Sequence, residues 1–394
     1  MNSDRIRNHG MFGGLVLALA TAVALAAAPV ARADPPGPPG PEGRYQQHNL
    51  VTNGSSTSLP ADNTDPHLLN PWGIVFTPFG PVWISDNGGG VSTVYNGAGA
   101  PIMVTNPAPP PPATVPLVVT IPAAAGGNPT GIVVNGSGGF LVAGAGTAAA
   151  FIFATEDGFI TAWNRSVDPV NAVVKTTNTT GAVYKGLALS ADGTRSLLYA
   201  TDFHNNKIDV FDNTFHIVTN LPAGAFTDPK IPMGFAPFGI QAINGNLYVT
   251  YAKQNAQAHD DVAGKGLGYV DVYDPSGNLI DRFASKGQLN SPWGLALAPA
   301  GFGEFSDSLL VGNFGDGRIN AFDLATGNFL GQLKGADGHP LTIDGLWGIA
   351  FGNGQLGQPV NTLFFTAGSN GESDGLYGRI DPIPGKDHGH GDDD

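Results

Sequence analysis

The sequence contains no cysteine. That excludes disulfides, thiol catalysis, thiolate metal sites and lipid attachment through cysteine. Charge is scarce, with 13% of the 394 residues being Asp, Glu, Lys or Arg. No basic cluster occurs, and the formal net charge is −14. A chain this acidic repels nucleic acid and anionic lipid, so neither is expected as a partner. Sustained helical periodicity is missing beyond the N-terminal segment, so helices are not expected to build the core. No G-x-S-x-G elbow, P-loop or dinucleotide fingerprint in a βαβ setting is found, nor any H-x-x-x-H or H-E-x-x-H spacing.

Glycine and proline are plentiful, at 57 and 32 residues, and 42% of the chain is apolar. That is the composition of many short strands joined by turns around a large core. The stretch from Ser291 to Leu333 shows the unit. It holds four short apolar runs, Gly294 to Leu297, Ser308 to Val311, Arg318 to Phe322 and Phe329 to Leu333. Each is too short for a helix and is bounded by turn residues. One such sheet has two faces to cover, so further copies are required.

Two markers recur in the same order. The first is a residue, most often aromatic, before Gly and Ile or Leu: Trp72-Gly73, Thr130-Gly131, Lys185-Gly186, Phe238-Gly239, Trp293-Gly294 and Trp347-Gly348. The glycines are 58, 55, 53, 55 and 54 residues apart. The second marker is Val94-Tyr95-Asn96, Ala162-Trp163-Asn164, Val210-Phe211-Asp212, Val272-Tyr273-Asp274, Ala321-Phe322-Asp323 and Arg379-Ile380-Asp381. Six repeats of four strands predict an all-β, six-bladed β-propeller.

The ends of the chain complete this organisation. Residues 1–33 read as a signal peptide: Arg5 and Arg7, an apolar run from Phe12 to Ala28, then Ala31-Arg32-Ala33. The alternative is an uncleaved membrane anchor. With cleavage the product is secreted or periplasmic, needs no membrane, and is expected to be a monomer. Removing residues 1–33 takes away a net charge of +2 and leaves −16. Residues 34–44 form a Pro/Gly-rich linker. The propeller is expected over 45–385, and the tail 386–394 is biased in composition and expected to be disordered. Tyr45 to Thr52 reads as a lone strand, while the last repeat meets Pro382 and Pro384 before a fourth strand. The N-terminal strand is therefore expected to complete the last blade and close the ring.

Two rings of residues are expected to share one face. The first precedes the glycines: Trp72, Thr130, Lys185, Phe238, Trp293 and Trp347. It either lines a mouth that stacks on flat ligands or wedges between blades. The second ends the second strands: Asp86, Glu156, Asp202, Tyr251, Asn313 and Ala367. Asp86, Glu156, Asp202 and Asn313 are hard donors suited to Ca2+ or another divalent cation, or else turn residues that bind their own backbone. His204 follows Asp202 and belongs to the same face.

The pattern G-[IL]-x-[VL], [LI]-x-[VA]-[TS]-[DEN], [VIA]-[YFW]-[DN] resembles the NHL-repeat propellers, best in YATDFHNNKIDVFD from Tyr199 to Asp212. The segments LLNPWGI, FIFATEDG, LYATDFHNNKI and SPWGLALAP also resemble an uncharacterised family of secreted bacterial propeller proteins, and distantly the gluconolactonase-type propellers. The resemblance implies a binding or scaffold module for an extracellular carbohydrate, small molecule or protein. Its enzymatic alternative is a divalent-metal-dependent hydrolase of the lactonase type. For that activity Glu156, Asn313 and Asp202 have the right residue types, without matching local motifs.

Overall fold

The computed structural model describes residues 43–55, 59–106, 113–122, 127–143, 146–193 and 195–384. The segment expected to be a signal peptide, most of the expected linker and the C-terminal tail lie outside these residues. The described chain forms six mainly antiparallel blade sheets around an axis, as the repeat requires, together with two further two-stranded sheets. The inner strands are Pro71–Phe76, Pro129–Val134, Tyr184–Ala191, Phe235–Ile243, Pro292–Leu297 and Leu346–Phe351. Each touches the next, and the sixth touches the first, so the ring is closed.

The template repeat forms its four strands as Pro292–Leu297, Leu309–Asn313, Ile319–Phe322 and Phe329–Gln332. Its second strand shows why the runs are continuously apolar. Leu309 and Val311 pack against blade four, while Leu310 packs against blade six. Successive side chains point to opposite faces, and here both faces are buried between blades. Apolar clusters of this kind lie at all six blade–blade seams. The stability of the ring therefore rests on contacts between repeats.

Closure follows the expected route. Tyr45–Thr52 pairs antiparallel with Leu376–Pro382, from Tyr45 opposite Pro382 to Thr52 opposite Leu376. Tyr45 is buried and donates its hydroxyl to Phe302 O at 3.0 Å, which ties the closing strand to blade five. Short Asn63–Thr64 adds a fifth strand to that sheet.

Blade three departs from the four-strand expectation. It has three strands, Tyr184–Ala191, Ser196–Asp202 and Lys207–Phe211. Its outer position holds only a bridge between Phe211 and Ile217 and one bond from Val218 N to Val210 O. The following segment carries Pro222, Pro229 and Pro232, which cannot donate to a ladder.

Candidate functional site

The strand register brings the two expected rings to one end of the propeller. Pro71 lies opposite Asp86, Tyr184 opposite Asp202, Pro237 opposite Tyr251, Pro292 opposite Asn313 and Leu346 opposite Ala367. Just beyond each pair the ladder breaks register around the repeated glycine. The bulge presses that glycine onto the next blade. A β-carbon on Gly239 would stand 2.0 Å from Trp293 O, on Gly294 2.6 Å from Trp347 O, and on Gly348 2.6 Å from Trp72 O. Threonines at the end of some second strands clip the same seam. Thr201 Oγ1 accepts from Gly186 N and donates to Phe238 O, both at 2.7 Å.

The aromatic ring neither lines an open mouth nor wedges between blades. It folds inward and closes one end of the axis, while the inner strands line a cavity farther along it. Trp72 stacks on Trp347 with centroids 3.5 Å apart, and Phe314 stacks on Trp347 at 4.0 Å. Trp293 stands edge-on to both, and Phe238 tilts against Trp347. With Phe203 these residues form a buried apolar cluster separate from the six seams. Six-fold crowding leaves each large ring no partner surface nearer than its neighbours' rings. Thr130, at the equivalent place in blade two, is buried and donates to Tyr184 O at 2.8 Å.

A polar cluster sits on this plug. Lys185 is 2% exposed, and its ammonium lies 4.9 Å from the Trp72 ring centroid. It donates to Glu156 Oε1 and, at 3.4 Å, to Asp260 Oδ1. Glu156 Oε2 accepts from Asn87 Nδ2 at 2.9 Å. Asn70 Nδ2 reaches Asn87 Oδ1 at 3.3 Å and Glu372 Oε1 at 3.2 Å. His259 Nδ1 lies 2.8 Å from Asp260 Oδ1. Blades one, two, three, four and six thus each contribute to one network.

The charges in it are unequal. Burial pushes the Glu372 carboxyl up, and Glu156 nearby adds to the effect. Burial likewise raises Asp261. For Asp260 burial acts upward, but the hydrogen bond with His259 and the Lys185 charge prevail and hold its carboxyl below the ordinary range.

The expected cation ligands are placed differently from one another. Glu156 is in the network. Asp86 is fully buried and accepts from Thr93 N at 2.9 Å. Burial drives its carboxyl well above the ordinary value. Asp202 spends its oxygens on Val183 N, Asn205 N and Asn205 Nδ2. Asn313 donates to Gln288 O and Asp316 Oδ1. His204 is exposed beside Phe203. Among the described residues the one group of three His or acidic side chains with ligand atoms within 4.8 Å is Glu156, His259 and Asp260. Of the residues implied by the gluconolactonase resemblance, Glu156 belongs to this group, while Asp202 and Asn313 make the local contacts given above. Sequence reading had missed Asn70, Asn87, His259, Asp260 and Glu372, which lie in connections between strands. The one available signal was the run His259-Asp260-Asp261, an imidazole beside two carboxyls, inside the long insertion of blade four.

No family model matches the chain. Among solved structures it is similar to virginiamycin B lyase from Staphylococcus aureus, at TM-score 0.48 and 16% identity, over 86% of this chain and 99% of that one. It is also similar to a glucose dehydrogenase, at TM-score 0.47 and 12% identity, over 85% of this chain and 98% of that one. Two relatives are much nearer in sequence, and they are viral rather than bacterial. "Uncharacterized protein R648" of Acanthamoeba polyphaga mimivirus is 35% identical over 83% of this chain and 78% of its own length. "Uncharacterized protein L690" of the same virus is 33% identical, over 83% of each chain. With identity of this order over most of each chain, the protein belongs to the propeller family of these two mimivirus proteins.

Proposed function

We propose that the protein is an exported binding propeller that takes an extracellular carbohydrate, small molecule or protein on the loop face around Lys185. The observation that carries this reading is the aromatic plug. It leaves no deep axial well at that face in which a substrate could be desolvated, and the strong acid–base groups above it are already paired with each other. What remains accessible is a rim of loops, including His204, His259 and Asp260, on a rigid floor. Loops fixed by a rigid scaffold are where binding commonly resides. Export rests on the leader-like residues 1–33, and an N-terminus at Asp34 in the exported fraction would bear it out.

Soluble glycans and lactones, screened by calorimetry with EDTA present and by product formation with a divalent cation supplied, test this reading. The expected outcome is saturable binding without turnover, weakened by His259→Ala. Catalytic turnover of a lactone that is lost in Glu156→Gln would overturn it in favour of a hydrolase.

A further inference from the structure

We propose that Glu156, His259 and Asp260 form a binding site for a divalent transition-metal ion, and that the Lys185 ammonium occupies this place when metal is absent. The proposal stands whether or not an organic ligand docks on the loop face. The three side chains bring ligand atoms within 4.8 Å of one another. Ligands of one zinc ion sit about 2.0–2.2 Å from the metal, so the group has to contract modestly. It is built to do so. Glu156 is largely buried and held by Asn87, whereas the side chains of His259 and Asp260 are 48% and 61% exposed in the insertion of blade four.

The donor types select the ion. Two carboxylates balance a double positive charge, and the imidazole favours Zn2+ or Mn2+ over Ca2+, which prefers oxygen alone. The surroundings also call for positive charge. Glu156 and Asp260 share one lysine, and Glu372 joins them through Asn70 and Asn87. Asn87 Nδ2 holds Glu156 Oε2 at 2.9 Å, which fixes the one largely buried carboxylate of the group.

Lys185 sets the affinity. Its Nζ already bridges Glu156 Oε1 and Asp260 Oδ1, the carboxylates that the ion needs. An ammonium and a divalent ion a few ångströms apart repel strongly in a partly buried setting. Metal and lysine therefore compete for the same oxygens.

The test titrates Zn2+, with Ca2+ as contrast, into the full chain by calorimetry. His388 and His390 are first replaced by alanine so that the tail imidazoles take no metal. One Zn2+ per chain is expected, with far weaker Ca2+ binding. His259→Ala should abolish the zinc signal, and Lys185→Met should tighten it by about tenfold or more. No binding to the parent or to Lys185→Met, or binding undiminished by His259→Ala, overturns the site. Equal affinity in parent and Lys185→Met overturns the competition. If Lys185→Met does not fold, the parent and His259→Ala, which changes an exposed side chain, still decide the matter.

Discussion

Gly239 has the least room of the six axial glycines. A β-carbon there would meet Trp293 O at 2.0 Å, against 2.8 Å from Gly186 to Phe238 O. Both obstacles are backbone carbonyls, which cannot rotate aside as a flexible side chain would. Gly239→Ala must therefore part blades four and five, at a cost of about 3 kcal/mol, with Gly186→Ala costing less. Gly136→Ala, where nothing lies within 4 Å, should be close to neutral. Denaturant midpoints of the three variants would measure the order, and equal midpoints would disprove the steric account. This steric demand also explains why the glycine marker is legible in sequence. The same carbonyl approaches the same position in blade after blade, so the requirement repeats with the blade.

Whole strands were legible for the same reason, and the exceptions have local causes. The closing strand could be inferred because Tyr45–Thr52 has an apolar pattern and no neighbour in sequence to pair with, while Leu376–Pro382 lacks one. Its removal tests closure. Deleting residues 45–53 withdraws buried Tyr45, Leu50 and Val51. At roughly 1.5–3 kcal/mol for each buried side chain, the loss is on the order of 5 kcal/mol. It also bares the edge of Leu376–Pro382, so association through that edge should accompany the lower melting temperature. A truncated protein that melts like the parent and remains monomeric would refute closure by this strand. The missing outer strand of blade three was not legible as an absence, because Ile217 and Val218 look apolar enough for a strand. The prolines that stop the ladder come only after them. The site was harder still. Which way Trp72, Trp293 and Trp347 turn depends on how they pack with each other, and no single repeat encodes that. His259 and Asp260 belong to an insertion peculiar to blade four, where no other repeat offers a comparison.

At the scale of the molecule, several carboxyls are buried in places that favour their neutral form. Burial, reinforced by Asp228 and opposed by Arg282, raises Asp271 to about 7. Asp86, Asp261 and Glu372 are also raised, each chiefly by burial. Between their ordinary values near 4 and their raised values, these groups hold protons in the folded ring and lose them on unfolding. Folding then takes up protons, so stability falls as pH rises through that window. Asp212, where turn hydrogen bonds outweigh an upward push from burial, and Asp323, held low by hydrogen bonds with its own turn, act at the other end. Their contribution is present above the ordinary carboxyl range and is lost as pH drops below it. The ring should thus be most stable in mildly acidic solution and lose stability steadily towards pH 8. Asp271→Asn should flatten that decline, by about 1.4 kcal/mol for each unit by which the native group is raised. The acidic surface offers a rival cause, because a net charge of −14 also destabilises a compact chain at neutral pH. Salt separates the two. Surface repulsion is screened within about 3 Å at 1 M salt, whereas the buried contribution is not. Melting curves from pH 4 to 8 at low and high salt should keep their slope in the parent and lose part of it in Asp271→Asn. A slope that vanishes with salt, or one unchanged by the substitution, would assign the effect to the surface instead.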